Sequence, residues 1–145
     1  ASPYAGLAFN LSHAGSWALV AVRAQYAVGV DVEETDLRHE PRKLASRFFS
    51  PGEAEWVCAS KSDGVLLDRF FRIWTRKEAV VKALGLGITA PLEAFSTLPA
   101  EAEALETRLP GCAPPLWVVS VSMPQDYRAA VASLTPKASI RLFDA

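Results

Sequence analysis

Between Gly64 and Leu84 the apolar residues recur with the period of a helix. At ~100° per residue, Leu66, Leu67, Phe70, Phe71, Trp74, Val81 and Leu84 fall within one arc, while Asp68, Arg69, Arg72, Thr75 and Arg76 lie off it. The pattern predicts one long amphipathic helix, stopped by Gly85 and Gly87. Upstream, the three valines of Val28-Gly29-Val30-Asp31-Val32-Glu33 alternate with other residues, the period of a strand. We expect Trp17–Val22 and Tyr26–Glu33 to pair as an antiparallel hairpin about Arg23-Ala24-Gln25. Pro41 opens a helix to about Phe49, and Ser50-Pro51-Gly52-Glu53 has the capping-box form, which starts a second helix running to about Ser60. Short strands follow near Ala94–Thr97, Leu116–Ser122, Tyr127–Leu134 and Ser139–Phe143, and the stretch 101–115, rich in Ala, Glu and Pro, reads as an exposed connection. No internal repeat is present.

Two polar intrusions break these patterns. Glu78 falls inside the apolar arc of the long helix, between Leu67 and Phe71, with Lys82 one turn further on. A carboxylate cannot enter a core without a partner or a metal to offset its lost hydration. An i,i+4 pair of Glu78 with Lys82 at the edge of a solvated face, worth about 0.2–0.5 kcal/mol, accounts for the same spacing. On the strand, Asp31 and Glu33 project from one side with Cα atoms about 6.6 Å apart at ~3.3 Å per residue. That suits a metal pair and equally a half-buried strand with a wet face. Gly29 leaves room for close approach beside these acids, and Glu34 and Asp36 prolong the negative stretch. Three acids with a lysine one turn beyond the third can hold a divalent cation against a phosphate. Hard oxygen ligands of this kind favour Mg²⁺ over zinc, and neither Cys58 nor Cys112 has metal-ligand spacing.

Composition narrows the picture only slightly. With 145 residues, half of them hydrophobic, the chain can build one or two small cores, and its net charge of −1 gives no cue for nucleic acid. The longest uncharged run, Ala14 to Val22, is too short to span a bilayer and lacks signal-peptide flanks, so no membrane partner is expected. Two cysteines at unremarkable positions fit a reducing cytoplasm.

The ordered set of motifs carries a more specific signal. Phe9-Asn10-Leu11-Ser12-His13, then Val28 to Glu33, then Arg47-Phe48-Phe49-Ser50-Pro51-Gly52-Glu53, then Trp74-Thr75-Arg76-Lys77-Glu78 with Lys82, resembles the 4′-phosphopantetheinyl transferases in order and spacing. The Asp31-x-Glu33 form is similar to the surfactin-synthetase-activating (Sfp) type, and the likeness runs from about Phe9 to Tyr127–Leu134. The resemblance implies an α+β fold in which an antiparallel sheet packs against a long helix, with residues 1–145 forming a single domain. Sfp-type enzymes resemble two copies of such a half with coenzyme A between them. This chain looks like the second half plus a short lead-in, so an upstream half or a homo-oligomeric partner is expected.

The implied chemistry is transfer of the phosphopantetheine arm of coenzyme A to a serine of an acyl, peptidyl or related carrier protein, releasing 3′,5′-ADP. Asp31, Glu33 and Glu78 would hold Mg²⁺, Lys82 would neutralise the transferring phosphate, and Glu78 would take the serine proton. Ser12 and His13 match family positions that contact the 3′-phosphate of coenzyme A, and Lys77 is carried over as a further phosphate contact. Trp74 is read as core packing that fixes the helix, and His39 is assigned no role. Arg42, Lys43 and Arg47 would suit as steering charges toward an acidic carrier. The competing reading is a non-catalytic half that binds carrier protein or serves a structural role, and another Mg²⁺-dependent pyrophosphate enzyme could use the same three acids.

Overall fold

Leu7–Ala14 (β1) and Trp17–Ala24 (β2) form an antiparallel two-stranded ribbon, with Leu7 opposite Ala24 and Ala14 opposite Trp17. Gly15, at φ 53°, supplies the left-handed residue that a two-residue hairpin turn requires. β2 therefore turns back on the strand before it, which corrects the expected pairing with the strand that follows. The backbone N–H of Gln25 bonds to the Gly6 carbonyl at 2.6 Å, closing the ribbon's open end and sending the chain elsewhere. The computed structural model describes residues 6–112, 114–134 and 139–144.

Val28–Glu34 (β3) pairs instead with a strand from the far end of the chain. In the second sheet the order is β3, β6, β5, β4, all antiparallel, where β4 is Ala104–Thr107, β5 is Leu116–Val121 and β6 is Tyr127–Leu134. β4 falls within the stretch read as an exposed connection. Its alternation is short, but Leu105 and Thr107 turn inward to 6% and 5% exposure. No strand forms at Ala94–Thr97, because the Thr97 N–H is taken by the Glu53 carboxylate at 2.7 Å. Among the described residues 139–144 there is no strand either.

The helices are α1 (Pro41–Phe48), α2 (Pro51–Cys58) and α3 (Asp63–Leu84). α2 carries the expected capping box, and α3 begins at Ser62, whose hydroxyl accepts the Val65 N–H, and ends on Gly85 at φ 67°. One core lies between the sheet and the later part of α3, built on Val80, Ala83, Leu116, Val118, Ala130 and Ala132. A second fills the space between the three helices with Phe49, Val57, Leu66, Phe70, Phe71 and Ile73. Because α3 is enclosed on both sides, Thr75 and Arg76, which the helical arc placed toward solvent, are buried at 1% and 0%. The Arg76 guanidinium compensates its burial by donating to the carbonyls of Thr97, Pro99, Ala100 and Ala102 and to the Ser120 hydroxyl. Desolvation brings it down to about 10.

Among the described residues, one surface is left exposed. Leu7, Phe9 and Leu11 of β1 share a ribbon face with Val20 and Val22 of β2, and these five are between 47% and 75% exposed. No helix among the described residues is long and apolar enough to cross a membrane.

Candidate active site

Alternation along β3 sends Val28, Val30 and Val32 away from α3 and turns Gly29, Asp31 and Glu33 toward it. Gly29 sets the distance. A Cβ there would lie 2.1 Å from the Ala79 carbonyl oxygen and 2.4 Å from the Ala83 nitrogen, so the strand rests directly on the helix backbone. The turn of α3 from Glu78 to Lys82 is thereby brought beside Asp31. The Lys82 ammonium donates to Asp31 Oδ1 at 2.8 Å, to the Val30 carbonyl at 3.1 Å and to Ser12 Oγ at 3.4 Å. Asp31 is only 3% exposed, and its second oxygen, Oδ2, is buried with no hydrogen-bond partner among the described residues.

The electrostatics follow from burial with too little positive charge. Asp31 is pushed up to about 7, chiefly by desolvation; Lys82 opposes the shift, while Glu33 and Glu78 add to it. Glu33 is raised by desolvation and steadied by a hydrogen bond from the Trp74 side chain, then by Lys82 and His39. Glu78 is raised by desolvation and by Glu33, against Lys82. The Lys82 ammonium thus acts on all three carboxylates. Yet among the described residues no three His, Cys, Asp or Glu side chains are arranged to hold a metal ion. Asp31, Glu33 and Glu78, expected to converge on one metal site, lie in an electrostatic cluster in which Lys82 engages Asp31 Oδ1. The unpartnered Oδ2, the surplus of negative charge and an all-oxygen donor set still fit a hard divalent cation.

The remaining predicted residues separate. Ser12 is buried, its hydroxyl accepting the Val32 N–H at 3.1 Å and lying 3.4 Å from Asp31 Oδ1. His13, next along β1, is exposed on the opposite ribbon face. Lys77 is not part of this cluster. Its ammonium is fully buried, paired with Glu53 at 2.8 Å and bonded to the Leu92 and Phe95 carbonyls at 2.6 and 2.5 Å. All three donors are used inside the protein, so the expected phosphate contact gives way to an interior ion pair. Glu53 is equally saturated, accepting from the Ser50 backbone and hydroxyl and from the Thr97 backbone and hydroxyl. Trp74 stacks on Phe70 at 5.6 Å, as expected of core packing, and also orients Glu33. Asn10 escaped the sequence reading. Its side-chain oxygen accepts the Val30 N–H at 2.9 Å, and the available signal was a polar residue spaced by two from Ser12 on the same face of the strand.

Comparison with known proteins gives this geometry a family. The profile of the 4′-phosphopantetheinyl transferase superfamily matches residues 27–132. The chain is 30% identical over 128 residues to 4′-phosphopantetheinyl transferase Sfp of Bacillus subtilis strain 168, a match covering 88% of this chain and 55% of that protein. It is 34% identical over 131 residues to 4′-phosphopantetheinyl transferase psf-1 of Bacillus pumilus, covering 90% and 54%. To 4′-phosphopantetheinyl transferase HetI of Nostoc sp. strain PCC 7120 it is 37% identical over 131 residues, covering 89% and 52%. The chain therefore spans about half the length of these relatives. The matched segment contains β3 with Asp31 and Glu33 and the whole of α3 with Glu78 and Lys82, and on that ground the chain belongs to the 4′-phosphopantetheinyl transferase superfamily.

Proposed function

We propose that this chain carries the catalytic cluster of a Mg²⁺-dependent enzyme that moves the 4′-phosphopantetheine arm of coenzyme A onto a serine of an apo carrier protein. The observation that supports it most is the meeting of Asp31 and Glu33 with Lys82 and Glu78 across the β3–α3 contact, in a chain of this family. Asp31, Glu33 and Glu78 would hold the Mg²⁺, which supplies neutralisation of pyrophosphate charge when bound. Lys82, within reach of Asp31, offers its ammonium to the phosphate under attack. Glu78, whose proton affinity is raised by burial, accepts the proton of the carrier serine. The serine oxygen forms a bond to the phosphorus bearing the pantetheine arm. The bond from that phosphorus to the bridging oxygen of the pyrophosphate breaks, and 3′,5′-ADP leaves with the electron pair. Trp74 holds Glu33 in orientation, and His13 is available at the surface for the 3′-phosphate. We place the reaction in the cytoplasm.

Mass spectrometry of an apo carrier protein incubated with coenzyme A, Mg²⁺ and this protein tests the reading. Addition of one phosphopantetheine mass, with 3′,5′-ADP formed in equal amount, is the expected result. Carrier binding without a mass change would instead identify a carrier-binding module. Pyrophosphate cleavage without transfer would identify another activity of the same acids.

A further inference from the structure

Among the described residues β3 is an edge strand. β6 covers one side of it, where the odd-numbered residues exchange backbone hydrogen bonds, and the even-numbered backbone groups point outward. An unpaired edge is normally covered by another strand or by solvent. Here it is covered by side chains. Asn10 Oδ1 accepts the Val30 N–H at 2.9 Å, Lys82 Nζ donates to the Val30 carbonyl at 3.1 Å, and Ser12 Oγ accepts the Val32 N–H at 3.1 Å. Asn10 and Ser12 lie two apart on β1, as Val30 and Val32 do on β3, so the ribbon is fastened beside the sheet in register without a backbone ladder. Asp31 sits between the two fastened residues. Ser12 completes the arrangement, since its hydroxyl also lies 3.4 Å from both Asp31 Oδ1 and Lys82 Nζ.

We infer that Asn10 and Ser12 are positioning residues for the acid cluster: they hold the backbone on either side of Asp31, and Ser12 sets the Asp31–Lys82 pair, so that the cation affinity of the site depends on two side chains that do not contact the cation. This rests on the functional reading above for the identity of the cation, and it departs from the role that the resemblance gives Ser12, a direct contact to the 3′-phosphate of coenzyme A. With 7% exposure and its hydroxyl already shared among three partners, Ser12 has little to offer a ligand. Groups one layer behind a metal ligand commonly change metal affinity by about 10–100-fold when removed.

The test measures two ligands separately on the same protein: Mn²⁺ alone, by calorimetry or the loss of its free EPR signal, and 3′,5′-ADP alone, with chelator present. Ser12→Ala is expected to weaken Mn²⁺ binding by about 10-fold or more and to leave 3′,5′-ADP binding within about two-fold of the wild type. Asn10→Ala should weaken Mn²⁺ in the same direction by a smaller factor, and Ser12→Thr, which keeps the hydroxyl on a strand-compatible residue, should restore it. A Ser12→Ala protein that binds Mn²⁺ like the wild type but loses 3′,5′-ADP overturns the inference and makes Ser12 a ligand contact. If Ser12→Ala does not fold, Ser12→Thr and Asn10→Ala decide: Mn²⁺ affinity unchanged in Asn10→Ala overturns the inference, as does failure of the wild type to bind Mn²⁺ at all. A wild type that binds Mn²⁺ with the predicted variant pattern, yet transfers nothing to a carrier, leaves the positioning role standing and removes the transferase reading instead.

Discussion

At the scale of single residues, the acid cluster is held together under electrostatic tension. Replacing Glu78 with Gln preserves shape but removes a negative charge and a proton acceptor, so turnover should fall by about 10²-fold or more while the melting temperature holds or rises. A melting temperature that falls in step with activity would make Glu78 a structural residue. Asp31 makes a second prediction, in pH. Its folded pKa of about 7 stands above the ordinary 3.8, so between those values the folded state binds more protons than the unfolded one. Stability from this group is therefore fully present below the lower value and is lost as pH rises toward the upper one, at a slope of at most about 1.4 kcal/mol per pH unit. In chelator, the wild type should lose stability relative to Asp31→Asn between about pH 4 and about pH 7, and millimolar Mg²⁺ should reduce that loss. Thermal melts of both proteins across the range read it directly.

At the scale of elements, contacts between strand and helix decide what the cluster can be. Gly29→Ala puts a methyl group into the backbone of α3 and should destabilise by at least about 1–3 kcal/mol, and because it separates β3 from Lys82, it should weaken cation binding as well. Lys77→Met tests the other ion pair on the same helix. It strands the Glu53 carboxylate in the interior and should cost about 3–5 kcal/mol in denaturant unfolding, whereas the surviving folded fraction should keep its affinity for 3′,5′-ADP. Such contrasts also mark what could be read from the sequence. The long helix, the capping box at Ser50 and the strand through Asp31 were legible, because each depends on local period or local capping. The partner of β3 was not legible, since nothing near Val28 encodes a strand beginning at Tyr127. β4 was hidden because four residues are too few to establish alternation. Lys77, carried over from the resemblance as a phosphate contact, lies about 100° around the helix from Glu78, which turns the lysine into the core while Glu78 faces the cluster.

At the scale of the whole molecule, the exposed apolar face of the ribbon is the feature that needs an explanation. Five large apolar side chains on one two-stranded surface exceed what a scattering of single exposed residues requires. Residues 1–145 alone should self-associate through this face, and Phe9→Ser with Val22→Thr should shift the sedimentation profile toward monomer without loss of helical content. A monodisperse wild-type monomer at high concentration would show that the face tolerates water. The pairing of β3 with β6 carries a different consequence, for the order of events during synthesis. β3 ends at Glu34 and β6 begins at Tyr127, so at about 5–20 residues per second the ribosome takes on the order of ten seconds to supply the second strand after the first has emerged. In that interval the helices can form from local contacts, while Asp31 and Glu33 ride on a strand with one bare edge. The nascent chain thus carries its lysine and its acids unassembled, and the site closes only once β6 has joined β3, making an intact β6 a precondition for any activity of the cluster.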